Sequence, residues 1–169
     1  VYDYQKIEPY PTYYALKRAL QSILVSAELW GRNLYGGEKL PTRIYVVNDR
    51  EDGTDLKSTL LRWEIQDETG KKLVWGDEEL PAVKHYGRCY IEPNIQLPAK
   101  LPSNKVNAKL VLKLTENGLP VSENEYNLLL ADKKWNIGQV AGNKKIVLLD
   151  NDGTKAVFDF LRINYQTVS

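Results

Sequence analysis

Pro120-Val-Ser-Glu-Asn-Glu-Tyr-Asn-Leu-Leu-Leu130 leads from a turn through polar residues into an apolar exit, with Tyr126, Leu128 and Leu130 in one phase of a two-residue repeat. That grammar predicts the closing strand of a β-sandwich, with Glu123 and Glu125 toward water and Asn124 near the strand's entrance, fixing a neighbouring loop. The preceding run, 106–114, supports it. Val106, Ala108, Leu110, Leu112 and Leu114 share one face, and Asn107, Lys109 and Lys113 take the other. Asn117-Gly118 between the two runs favours a primed hairpin turn.

Working back toward the N-terminus, the same period predicts strands at 24–30, 42–49, 59–67, 72–76 and 86–97, followed by 106–115 and 122–131. Tyr35-Gly-Gly37, Asp52-Gly53 and Thr69-Gly70 punctuate them as turns that tolerate positive φ. In 59–67, Leu61, Trp63 and Ile65 lie opposite Arg62, Glu64 and Gln66, which makes Trp63 a core residue between two sheets. Seven short strands at this spacing predict a mainly β protein, an immunoglobulin-like antiparallel β-sandwich.

Both ends depart from the two-residue period. Tyr13, Leu16, Leu20 and Ile23 form the stripe of a leading amphipathic helix over 12–22, capped by Thr12 and burying one face. After Trp135, a short apolar strand at 145–150, a turn and cap at Asn151-Asp-Gly-Thr154, a helix to Leu161 and a strand at 163–168 predict a β-α-β segment. The expected division is a linker and helix at 1–22, a sandwich at 23–135, and a linker with the start of a further domain at 136–169.

Composition narrows the function classes. The 169 residues are too few for a (β/α)8 barrel, which needs about 250. Twenty-three Lys and Arg against 22 Asp and Glu leave a net charge of +1, and acidic and basic residues are interspersed, so no nucleic-acid partner is expected. No stretch approaches the ~20 apolar residues of a membrane span, and no membrane partner is expected either. The absence of methionine predicts a processed or excised segment of a longer protein.

Catalytic chemistry finds little footing. Cys89 is the single cysteine and reads as a small buried hydrophobe, and His85 is the single imidazole, without a nucleophile elbow beside it. Neither Gly36-Gly37 nor Gly138 to Gly142 has phosphate-loop spacing, and no metal-ligand or cofactor spacing occurs. Glycoside hydrolysis needs two carboxyl groups flanking one bond, and Asn124-Glu125, the tempting candidate, sits on a period-two strand. The residues therefore suggest no catalytic site. Exposed aromatic rings that stack on a sugar's C–H face are the remaining chemistry: Trp30, Trp75 and Trp135 qualify by position, with Trp75 and Trp135 the candidate carbohydrate contacts.

Several segments, in order, resemble a known family. Tyr13-Tyr-Ala-Leu-Lys-Arg-Ala-Leu20, Ser26-Ala-Glu-Leu-Trp-Gly31 and Val46-Val-Asn-Asp49 are similar to the passage from the last barrel helix into the following sandwich domain of glycoside hydrolase family 2 enzymes. Leu60-Leu-Arg-Trp-Glu-Ile65 with Asp67-Glu-Thr-Gly70, Ile95-Gln-Leu-Pro98 and Ser122-Glu-Asn-Glu-Tyr126 resemble successive strands of that domain in β-mannosidase-like, exo-β-glucosaminidase-like and β-galactosidase-like members. The resemblance spans residues 9–135. It implies a non-catalytic accessory domain that supports a catalytic barrel, in a parent retaining glycosidase acting on polysaccharide or glycoprotein glycans. The parent's catalytic glutamates would lie before Val1, its barrel and neighbouring domains would be the partners, with carbohydrate a further one, and a periplasmic or secreted location is implied. The β-α-β tail departs from the family pattern.

Overall fold

The computed structural model of the protein describes residues 8–136, 145–149, 153–161 and 163–168. It is mainly β. The strands are β1 (Ile23–Leu29), β2 (Asn33–Tyr35), β3 (Thr42–Asn48), β4 (Thr59–Asp67), β5 (Lys72–Leu80), β6 (Gly87–Ile91), β7 (Lys105–Glu116) and β8 (Leu119–Ala131). One sheet has the order β1-β3-β6 and the other β2-β8-β7-β4-β5. The chain changes sheet five times, at β1 to β2, β2 to β3, β3 to β4, β5 to β6 and β6 to β7, so the strands of both sheets are interleaved in sequence as in an immunoglobulin-like sandwich. Every ladder within these two sheets is antiparallel except the short parallel pair of β2 with β8.

Alternation puts the core where the sequence places it. Val25, Ile44 and Val46 from the three-stranded sheet meet Leu61, Trp63, Ile65, Leu110, Leu112, Leu114, Leu128 and Leu130 from the five-stranded one, all buried in a single cluster. Each fully buried Leu or Ile removes enough apolar surface from water to contribute about 1.5–3 kcal/mol. The β7-β8 hairpin is closed by Asn117 and Gly118 at φ 48° and 80°, the primed geometry that matches strand twist. Glu116 pairs with Leu119, so only these two residues form the loop.

The inward side chains at the start of β8 do something other than fill the core. Strand β1 lies at the edge of its sheet, so one row of its backbone groups has no ladder partner. Ser122, Asn124 and Tyr126 supply the partners from the opposite sheet. The Val25 N–H donates to Ser122 Oγ (3.1 Å), Asn124 Nδ2 donates to the Val25 carbonyl (3.0 Å), and the Ala27 N–H donates to the Tyr126 hydroxyl (2.9 Å). Asn124 Nδ2 also donates to Tyr126 (3.1 Å), and Ser122 donates to Gln21 Oε1 (2.7 Å). Asn124 therefore holds a strand of the facing sheet, where the sequence suggested a loop.

Several boundaries differ from expectation for local reasons. The sandwich has eight strands rather than seven, because β2 has only three residues and offers no run of alternation to read. Strand β5 continues past residue 76 to Leu80, and the strand expected at 86–97 stops at Ile91, two residues before Pro93, which has no N–H to give a ladder. Helix α1 covers Pro11–Ala19 with Tyr10 at its N-cap and no side-chain cap, since Pro11 already sets the helical φ and places Thr12 inside the first turn. None of its residues is buried, so the face expected to be covered is open in this chain. Past the sandwich, β9 (Val147–Leu148) and β10 (Gln166–Thr167) pair in parallel, and α2 (Thr154–Phe160) lies between them in sequence. That is the expected β-α-β segment, but Gly153 occupies the cap position of α2 and no side chain caps it.

Candidate functional site

Each sheet presents an outer face, and Trp75 and Trp30 belong to different ones. Trp75 stands in the middle of β5, not at a strand end, on the edge of the five-stranded sheet, and is 57% exposed. Its register partner is Glu64, and the Arg62 guanidinium carbon lies 5.7 Å from the indole centroid. Arg62 is itself held to Asp77 by two parallel bonds of 2.7 Å. Trp135 lies in a 3-10 turn at Lys133–Asn136, and its side chain is outside the described residues.

Beneath this charged layer Glu64 is 1% exposed, although it points away from the core. Lys72 Nζ lies 2.6 Å from one carboxylate oxygen and Gln66 Nε2 donates to the other at 2.6 Å. Burial pushes the Glu64 carboxyl up, yet the bonds from Lys72 and Gln66 outweigh it and hold the group below the ordinary glutamate range. Because the folded value is depressed, the stabilisation is present above the unfolded value of about 4.3 and disappears as pH falls through the folded one. Lys72→Met should therefore destabilise the protein more at pH 7 than at pH 3, by urea unfolding at both. An equal loss at both values would show that the pair carries no charge-dependent stability.

The outer face of the three-stranded sheet carries a second aromatic group. Register sets Glu28 beside Arg43 and Tyr45 opposite Tyr90, while Trp30 follows directly after β1 and Glu92 directly after β6. The Arg43 guanidinium carbon sits 5.3 Å from the Trp30 centroid and 5.5 Å from that of Tyr90, bridging the two rings. Arg43 Nε donates to Glu92 at 2.7 Å, the Tyr45 ring lies 5.6 Å from Tyr90, and the Tyr45 hydroxyl donates to Glu28 at 3.1 Å. Trp30 is 56% and Tyr90 57% exposed. A groove of about 350 Å³ runs beside them, lined by Trp30, Lys39, Pro41, Arg43, Glu92 and Pro93. Of these aromatic positions, the sequence drew attention only to Trp30. Tyr45 and Tyr90 carried the available signal, as outward-phased aromatics on two short strands.

The other residues weighed for chemistry are placed as follows. Asn124 and Glu125 point to opposite faces of β8. Asn124 is in the inter-sheet seam, and Glu125 is on the water side with Lys109 at 3.2 Å. The His85 ring lies against Tyr86, centroids 4.0 Å apart and tilted by 45°, and burial raises the Cys89 thiol's pKa, leaving it poorly nucleophilic. No group of three or more potential metal-ligating side chains occurs among the described residues. No described helix is long and apolar enough to cross a membrane.

Fold and site together define an immunoglobulin-like β-sandwich domain with aromatic groups on both outer faces. No protein family and no curated protein matches the chain. Among solved structures, it is similar to an exo-chitosanase of Amycolatopsis orientalis at 15% identity and a TM-score of 0.48, over 68% of this chain and 12% of that one. It is also similar to a β-glucuronidase from glycoside hydrolase family 2, at 17% identity and 0.41, over 63% and 11%. A CARDB domain of Pyrococcus furiosus is similar over 67% of this chain and 97% of that one, at 11% identity and 0.43. The chain thus spans about an eighth of the exo-chitosanase's length.

Proposed function

We propose that this chain is a non-catalytic accessory domain of a multidomain β-glycosidase, of the kind found in glycoside hydrolase family 2, whose parent acts on polysaccharide or glycoprotein glycans. In this reading residues 23–135 are the accessory sandwich, 1–22 hold the end of a preceding catalytic barrel, and 136–169 open a further domain. The observation that carries it is the open face of α1. Leu16 and Leu20 are 55% and 79% exposed just ahead of β1, on the segment whose sequence resembles the last barrel helix. Apolar residues at helical spacing are normally covered, and a barrel against that face would cover them.

A lack of chemistry in this domain has a geometric basis in the same reading. Glycoside hydrolysis needs two carboxyl groups across one bond, whereas Glu125 stands on the water side paired with Lys109 and Asn124 is turned into the seam against the Val25 carbonyl. The chain expressed alone should hydrolyse none of a panel of aryl β-glycosides. Turnover that disappears in Glu125→Gln would overturn the proposal. The alternative, a stand-alone carbohydrate-binding module with Trp75 and Trp135 as contacts, is favoured by the exposure of the Trp75 ring.

A further inference from the structure

We propose that the outer face of the three-stranded sheet is a binding site for a neutral, β-linked oligosaccharide, with Trp30 and Tyr90 as stacking platforms and Arg43 and Glu92 as partners for its hydroxyls. Three observations select this ligand class. The first is the pair of half-exposed rings, which Arg43 ties into one row. Flat apolar faces of this kind accept the axial C–H groups of a sugar whose hydroxyls are equatorial. The second is charge. Lys39, Arg43 and Glu92 line the groove, Arg43 and Glu92 neutralise each other, and Glu28 stands beside Arg43, so charges of both signs are interspersed and no strong field of either sign selects an ion. The third is the combination of groups at the ring edges. A guanidinium carries more donors than one carboxylate contact uses, and a carboxylate accepts from several partners, which suits the paired hydroxyls along a sugar's edge.

The groove's size fits the same ligand, since about 350 Å³ is within the range of small-ligand sites. It is open on one side, as a site for part of a chain should be. The two platforms are close enough, each within 6 Å of the same guanidinium carbon, for one tetrasaccharide to touch both. Trp75 on the opposite sheet lies over Arg62, whose guanidinium carbon is 5.7 Å from the indole centroid and which is itself held to Asp77.

This site adds a glycan-holding role to the accessory reading without depending on it. The test is titration of the 169-residue chain with cellotetraose and N,N′,N″,N‴-tetraacetylchitotetraose, followed by tryptophan fluorescence and by backbone amide shifts. Saturable changes should centre on β1, β3 and β6. Trp30→Ala and Tyr90→Ala should each weaken binding about tenfold, the scale of one lost stacking ring under other flat ligands, and Trp75→Ala should leave it unchanged. All three side chains are surface groups, and unchanged far-UV circular dichroism would show that the variants fold. No shift at millimolar concentrations of either sugar would overturn the proposal, as would binding that persists in the Trp30→Ala, Tyr90→Ala double variant. Loss only in Trp75→Ala would move the site to the other sheet and equally overturn it. Any of these results leaves the accessory reading standing, because that reading is tested by turnover.

Discussion

Gly76→Ala is expected to destabilise the protein by about 3 kcal/mol, the upper part of the usual range for overpacking a core. Gly76 is opposite Trp63 in the β4-β5 ladder, and the benzene half of the indole occupies the space a side chain would fill. An added Cβ would fall 2.7 Å from Trp63 Cε2 and closer still to Cζ2. Trp63 is the largest core residue of its strand, 6% exposed between the sheets, so it has nowhere to retreat without opening the core. The measurement is the urea midpoint of unfolding, with an unchanged slope showing that stability and not compactness has moved.

A second variant separates this clash from a general intolerance of alanine in a strand. Trp63→Phe alone should also destabilise, since it leaves a cavity. In that background, however, Gly76→Ala should lose at least half of its cost because the ring no longer reaches the new methyl group. Neighbouring substitutions that share one contact are coupled in this way, whereas distant ones add. Strict additivity would mean that the glycine is required for some reason other than the indole.

The Trp63-Gly76 contact marks how far sequence alone could go. Trp63 was legible as a core residue because Leu61 and Ile65 flank it in phase, and most of the sandwich was legible by the same two-residue period. Gly76 fell at the end of the strand expected at 72–76, because its role depends on a ring thirteen positions earlier in the chain. Strand β2 was invisible for want of length. The aromatic row of Trp30, Arg43 and Tyr90 was hidden for a different reason: its members come from three stretches of chain that only sheet order makes neighbours. Glu64 was correctly phased outward, but its burial depends on long side chains from β5 and on its own strand folding over it.

The seam between the sheets yields the other large effect, and it separates a structural role for the Ser-Glu-Asn-Glu-Tyr segment from a chemical one. Asn124→Ala should cost about 2–3 kcal/mol, because it leaves the Val25 carbonyl without its partner in a place water reaches poorly and removes the bond that Asn124 Oδ1 accepts from the Glu125 N–H at 2.9 Å. Tyr126→Phe removes the acceptor of the Ala27 N–H and of one Asn124 Nδ2 hydrogen, while Asn124 keeps its bond to the Val25 carbonyl, and should cost about 1–1.5 kcal/mol. The two should be coupled in a double-mutant cycle, since Asn124 Nδ2 donates to the Tyr126 hydroxyl. Glu125→Gln lies one residue away on the water side, where it gives up an exposed ion pair with Lys109, and should change stability by no more than about 0.5 kcal/mol. If Glu125→Gln proved as costly as Asn124→Ala, the seam would not be what ties β1 to the facing sheet. If Asn124→Ala were neutral, β1 would be tied to the facing sheet by Ser122 and Tyr126 without it, and Asn124's place in the seam would lose its explanation.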